Sequence, residues 1–100
     1  MLLYNVTMCV EPAIEAELIY WMRTQHVPNV MATGVPVESK ILKLLTEVDN
    51  GGVTYTFQYF FKSLDDYETY QNDHSPALQS HVQQRYNGKY VSFRTLLEEI

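Results

Sequence analysis

Residues 53–62 read Val-Thr-Tyr-Thr-Phe-Gln-Tyr-Phe-Phe-Lys, so that Val53, Tyr55, Phe57, Tyr59 and Phe61 fall on alternate positions, with Phe60 the one interruption. A period of two is the mark of a strand that buries one face. Residues 2–10 repeat it, with Tyr4, Val6, Met8 and Val10 on one side and Asn5, Thr7 and Cys9 on the other. Each half-buried strand needs a covering layer, and a chain of 100 residues has room for a single domain in which to find it.

The residues between and beyond these strands supply the layer. Glu11-Pro12 reads as a helix start, with Glu11 and Glu15 complementing the positive end of the dipole. Ile14, Leu18, Trp21, Met22 and Gln25 then form a mostly apolar helical stripe. Val27-Pro28 is expected to interrupt this helix, and Thr33-Gly34 to complete the exit. Val35 to Val48 reads as a second strand, joined to Val53–Lys62 through Asp49-Asn50-Gly51-Gly52, residues that tolerate positive φ. Ser63-Leu64-Asp65-Asp66 resembles a capping box with Asp in place of Glu, and starts a second helix. Ser75-Pro76 is expected to kink or split that helix, with Ser75 capping the second half. Asn87-Gly88 ends it, and Lys89 to Leu97 alternates as a fourth strand.

The order β-α-β-β-α-β predicts an α+β, ferredoxin-like domain over residues 1–100: a four-stranded antiparallel sheet with two helices on one face. Apolar weight assigns Tyr4, Val6, Met8, Tyr55, Phe57, Tyr59, Val91 and Phe93 to the helix-covered face. Asn5, Thr7, Cys9, Thr54, Thr56, Gln58, Tyr90, Ser92, Arg94 and Leu96 then fall on the other, a mixed surface that calls for a cover. A second copy of the chain about a two-fold axis can supply it, which predicts a homodimer.

Charge and cysteine use narrow the partners. Seven Lys and Arg against twelve Asp and Glu give a net charge of −5, with no basic tract for a nucleic-acid backbone or an anionic membrane. The third strand superficially resembles that of an RNA-recognition motif, but the leading basic residue is missing. A single cysteine rules out an internal disulfide and a Cys-cluster zinc site. No run reaches 18 apolar residues and residues 1–10 lack signal-peptide features, so a soluble cytoplasmic protein is expected. Signatures for hydrolases, zinc proteases, nucleotides and dinucleotides are missing, and nothing gives positive support to flavin or haem, so no cofactor is expected.

Several spaced motifs together resemble a known family. These are Tyr4-Asn5-Val6-Thr7, Trp21-Met22 followed by His26-Val27-Pro28, Thr33-Gly34, Gln58-Tyr59, Tyr67 with Tyr70, His74, Pro76, Leu78 and His81, and Phe93-Arg94-Thr95-Leu96-Leu97-Glu98. They resemble a domain-of-unknown-function family of small bacterial proteins, found mainly in Bacteroidetes-type organisms. The resemblance implies the dimeric α/β-barrel variety of the fold, in which two sheets pack face to face. That group includes cofactor-free monooxygenases, isomerases, haem enzymes and effector-binding domains, so the fold fixes no reaction.

Six residues stand out as candidate ligand-binding positions: His26, His74, His81, Arg94, Asn5 and Tyr67. His26 lies near the expected end of the first helix, where the dipole favours an imidazolium, and is a candidate acid or base or a packed histidine serving last-turn carbonyls. Tyr67, Tyr70, His74, Leu78, His81 and Arg85 follow a 3, 4, 4, 3, 4 spacing, one face of a continuous helix that lines either a polar cavity or a wet surface. His74 and His81 stand about 10.5 Å apart on such a helix, too far to share a metal. Arg94, with Asn5, Thr7, Gln58 and Ser92, is expected on the face buried by the second copy, pairing an anionic ligand or an acid such as Glu38 or Glu98. Cys9 reads as an inert small apolar residue. Two functions stay open: a homodimer that binds a small organic molecule between sheet and helices, with acid/base help from His26, His74 or His81 if it turns it over, and a non-catalytic dimerisation or protein-interaction module.

Overall fold

In the computed structural model of the chain, which describes residues 1–46 and 51–100, the strands are β1 (Leu2–Val10), β2 (Glu38–Lys43), β3 (Val53–Phe61) and β4 (Tyr90–Glu98). They form one antiparallel sheet in the order β2-β3-β1-β4, the ferredoxin-like arrangement the alternation predicts. Strand β2 is shorter than expected, and Val48, Asp49 and Asn50 lie outside the described residues. Leu2, Tyr4, Val6, Met8 and Val10 of β1 pair with Phe61, Tyr59, Phe57, Tyr55 and Val53 of β3, so the two period-two patterns lock onto the same face. That face carries the core, with Leu18, Met22, Val30, Tyr70, Leu78, Val82 and Tyr86 packed on it from the helices.

The first helical segment does not break at Val27-Pro28. A 3-10 turn (Pro12–Ile14) leads into α1 (Glu15–Trp21), a π turn spans Met22–His26, and α2 (Val27–Ala32) runs on through the proline. The Val27 amide donates to the Met22 carbonyl, five residues back. Proline lacks an amide hydrogen and its ring crowds the carbonyl four residues earlier, that of Thr24, and a wider turn just before it relieves the crowding. The extra residue also changes which side chains face inward. Twelve residues past Leu18 an unbroken α-helix has turned about 120° away from it, yet Val30 is fully buried and Asn29 is exposed. The same slip turns His26 into the core in place of the expected Gln25.

The second segment splits as its proline predicts, into α3 (Leu64–Asp73) and α4 (Ser75–Tyr86). Ser63 caps α3 as expected, its hydroxyl accepting from the Asp66 amide at 3.2 Å. Ser63→Ala is therefore expected to cost about 1 kcal/mol, read as a fall in the urea midpoint at unchanged m-value. At α4 the expected cap fails: His74 is the N-cap residue, without a side-chain bond, and Ser75 is buried in the first turn. The break resets the helical phase, so the inward row of α4 is Ser75, Leu78, Val82 and Tyr86, while His81 and Arg85 are exposed. Gly88 takes a φ of 77°, the left-handed conformation the Asn87-Gly88 helix stop requires.

Strand β4 faces the other way from what its apolar pattern predicts. Its register puts Ser92, Arg94 and Leu96 opposite Met8, Val6 and Tyr4, hence on the helix side, while Val91, Phe93 and Leu97 lie opposite Cys9, Thr7 and Leu3 on the bare side. Strand β4 is an edge strand at the margin of the helical layer, so its apolar residues turn the other way and Phe93 is 63% exposed. No helix among the described residues is long and apolar enough to cross a membrane.

Candidate functional site

Tyrosines crowd the helix-covered face where β1 and β3 meet α3. The Tyr4 ring lies 5.2 Å from Tyr67, 6.3 Å from Tyr59 and 6.4 Å from Tyr70. Phe61 backs them at 5.5 Å from both Tyr67 and Tyr70. Alternation brings Tyr4 and Tyr59 inward from paired strand positions, and the i, i+3 spacing brings Tyr67 and Tyr70 down onto them. Tyr4 and Tyr59 are 1% and 3% exposed; among the described residues neither hydroxyl donates to an acceptor, and the polar group set against the Tyr4 oxygen is the Arg94 guanidinium, itself a donor. Buried polar atoms without partners are rare and costly in folded proteins.

Burial pushes the Tyr4, Tyr59, Tyr67 and Tyr70 phenols above their ordinary range, which keeps them protonated and able to donate. The charge of Arg94 opposes the rise at Tyr4, Tyr67 and Tyr70, which places the guanidinium within electrostatic reach of all three. Its own hydrogen bond goes to the Gln79 side-chain oxygen at 2.6 Å, a link from β4 to α4. Arg94 thus sits at the rim of the interior cleft on the helix side of the sheet, not on the opposite face where an anionic ligand or an acid is expected to pair with it.

A cavity of about 20 Å³, room for one water molecule, adjoins Tyr59 and Tyr70. Val6, Met8, Met22, Phe57 and Val82 give it apolar walls, and His26, Tyr59, Tyr70, Gln79, Tyr90 and Ser92 bring polar groups to it. Among the described residues no Asp, Glu, Lys or Arg lines it. Gln79 is half-buried and Ser92 exposed, so the solvent side of the cavity lies between α4 and β4, beside the Arg94–Gln79 link.

His26 enters this cavity from the π turn. It is 6% exposed and stacks on Trp21 at 5.5 Å. Burial, with a smaller push from His81, brings its pKa down to about 4. The imidazolium expected at a helix C-terminus is therefore not formed at neutral pH, because the helix continues past His26 and desolvation outweighs the dipole. His81 stays on the exposed side of α4, close enough to act on His26. His74 is half-buried and stacks on Tyr70 at 6.4 Å, behind the cleft. Asn5 stands apart on the bare face, where its amide donates to the Thr7 hydroxyl at 3.0 Å and its carbonyl oxygen is buried without a partner.

The structure thus places His26 in the cavity wall, Arg94 on Gln79 at the cavity's rim and Tyr67 against Tyr4, with His74 stacked on Tyr70, His81 on the exposed side of α4 and Asn5 on the bare face. Alternation assigns Tyr4 and Tyr59 to the covered face, while the helical spacing leaves Tyr70 open between a cavity and a wet surface, and none of the three stands out in the sequence as a ligand position. The available signal was a tyrosine at each inward strand position, where a phenylalanine would carry no unmet hydroxyl. Among the described residues no three His, Cys, Asp or Glu side chains are gathered as a metal-binding group.

Sheet order, helical layer and interior cleft define a ferredoxin-like α+β domain. Solved structures agree on the fold. HapK from Hahella chejuensis superposes with a TM-score of 0.73 at 7% identity, over 100% of this chain and 93% of that one. A mutant of MhuD with two manganese protoporphyrin IX bound per active site gives 0.69 at 15%, over 100% and 95%. A mutant of SnoaB, a cofactor-independent oxygenase from Streptomyces nogalater, gives 0.67 at 13%, over 98% and 92%. No curated protein matches the chain in sequence. The chain belongs to the family described as "Domain of unknown function (DUF4286)", which it matches over residues 1–100.

Proposed function

We propose that this chain is a small cytoplasmic bacterial protein that forms a homodimer and binds a small organic molecule in the cleft between helices and sheet. The observation that carries the ligand reading is the pair of buried phenols, Tyr4 and Tyr59, with donors and no acceptor. An interior arranged for packing alone gains nothing from two such hydroxyls, since phenylalanine would fill the same space without the desolvation cost. His26, neutral and in the cavity wall, adds a group able to accept or donate a proton. Oxygenase and porphyrin chemistry are named for proteins that share the fold at 13% and 15% identity, and the fold alone carries neither to this chain.

The homodimer reading is supported by Val91 and Phe93, 70% and 63% exposed, beside Leu97 on the bare side of β4. A two-fold copy would cover them, burying about 800 Å² per partner. Phe93→Glu is expected to weaken self-association at least about tenfold in sedimentation equilibrium, because it buries an unpaired charge at the centre of the contact. A monomeric wild-type protein at micromolar concentration removes this part of the proposal.

The ligand reading is tested by thermal melts against a library of metabolite-sized compounds. Compounds that raise Tm in the wild type and fail to do so in Tyr59→Phe support it. A flat response across the library, or one that ignores Tyr59, defeats it. The small size of the cavity favours a second reading, a non-catalytic dimerisation or interaction module, and a flat response together with a stable dimer would establish that one.

A further inference from the structure

We infer that the cleft's occupant is a compact molecule with an anionic carboxylate- or enolate-type oxygen, whose oxygen takes the phenol hydrogens of Tyr59 and Tyr4 while Arg94 leaves Gln79 to pair with its charge. This rests on the cleft being a ligand site and adds the chemical class of what it takes.

Three observations point to that class. On the helix-covered face of the sheet the buried hydroxyls of Tyr4 and Tyr59 are protonated and donate to no acceptor, while the other buried unpartnered atoms, the Asn5 and Gln71 amide oxygens, lie on the bare face and on α3. The guanidinium of Arg94 is bonded at 2.6 Å to Gln79, a residue of the cavity wall, and among the described residues no carboxylate lines the cavity to favour a cation or repel an anion. The sign of the site is therefore opposite to the −5 of the whole chain. The empty space, at about 20 Å³, has the size of one water and so of one ligand oxygen. An oxygen seated there beside Tyr59 leaves the remainder of the molecule to pass outward between α4 and β4, at the rim formed by Gln79 and Ser92.

Arg94 is well placed to follow it. Its bond to Gln79 joins two side chains that are not sealed from solvent, so exchanging a neutral acceptor for a charged one costs little and gains a charge-assisted hydrogen bond. In the unliganded protein the same bond closes the rim of the cleft. Amide and guanidinium would then separate on binding.

Binding of benzoate, benzyl alcohol and benzylamine, followed by two-dimensional NMR of the full chain, separates the outcomes because the three share one ring and differ in charge. Benzoate is expected to shift signals of the cleft and to bind at least about tenfold more tightly than the other two, with that preference lost in Arg94→Gln. The melting temperature of Arg94→Gln serves as the fold control, and Arg94→Lys, which keeps the charge, is expected to restore part of the preference. Benzyl alcohol binding in the cleft as well as benzoate does, or a benzoate affinity untouched by Arg94→Gln, overturns the anionic class and leaves the cleft standing as a site for neutral molecules. Tighter binding of benzylamine overturns the class outright. If none of the three moves a cleft signal at about 10 mM, with Kd values then weaker than about −3 kcal/mol of binding energy, the anionic class and the ligand reading fall together.

Discussion

Between pH 7.5 and pH 5 the protein is expected to lose about 2 kcal/mol of stability through His26 alone, about 10 °C in Tm for a domain of this size. The folded-state pKa of about 4 lies below the ordinary value of 6.5, so the shift is a depression of a base. Above 6.5 both states hold a neutral ring and the group contributes no slope. Between 6.5 and about 4 the unfolded chain binds a proton that the folded chain refuses, so stability falls as pH falls through that window. Below about 4 both states are protonated and the loss is complete, at about 3 kcal/mol. His26→Phe keeps a ring against Trp21 and cannot titrate, so its Tm is expected to fall distinctly less than that of the wild type over the same range. The carboxylates are common to both proteins, which makes the difference a report on His26. Parallel curves for the two proteins would mean that the ring is hydrated in solution and titrates normally.

The second large effect runs against the usual direction for core substitutions. Tyr4→Phe with Tyr59→Phe is expected to stabilise the protein by about 2 kcal/mol, because each change removes a buried hydroxyl whose proton meets no acceptor and leaves the ring packing in place. The two rings are neighbours at 6.3 Å, so the single changes need not sum to the pair. The same double variant is expected to bind its ligand at least about tenfold more weakly. Gain of stability with loss of binding is the pattern of a site kept under strain for function. A fall in the urea midpoint of comparable size would show instead that both phenols are satisfied in solution by water or by a protein group.

What could be read in the sequence, and what could not, follows from how each residue's position is determined. In β1 and β3 the alternation puts aromatic and aliphatic residues on one face and mostly polar ones on the other, so Tyr4, Val6, Phe57 and Tyr59 had only one way to point. Strand β4 carries Val91 and Phe93 on one side and Ser92 and Arg94 on the other, and apolar weight assigns the first pair to the helices. That rule assumes a helix lies over the strand. At the sheet's edge the helical layer thins out, and the register fixed by β1 turns Arg94 towards Tyr4 and leaves Phe93 on the bare side. Arg94 therefore stands out in the sequence by its charge, while apolar weight assigns it to the other side of the sheet. The π turn leaves no periodic trace either. Proline at position 28 signals an interruption, and whether the chain meets it by ending a helix or by widening one turn depends on packing against the sheet. His26, inward only because of that extra residue, was consequently noticed for a reason that does not hold.

The most direct test is a crystal structure of the protein purified from the cells that make it, with attention to the space beside the Tyr4 and Tyr59 hydroxyls. A small molecule with an oxygen about 2.7 Å from these groups, and Arg94 turned from Gln79 towards it, is the predicted result. A closed cleft in which both phenols are bonded to protein groups or to a lone water, with Arg94 still on Gln79, would contradict it.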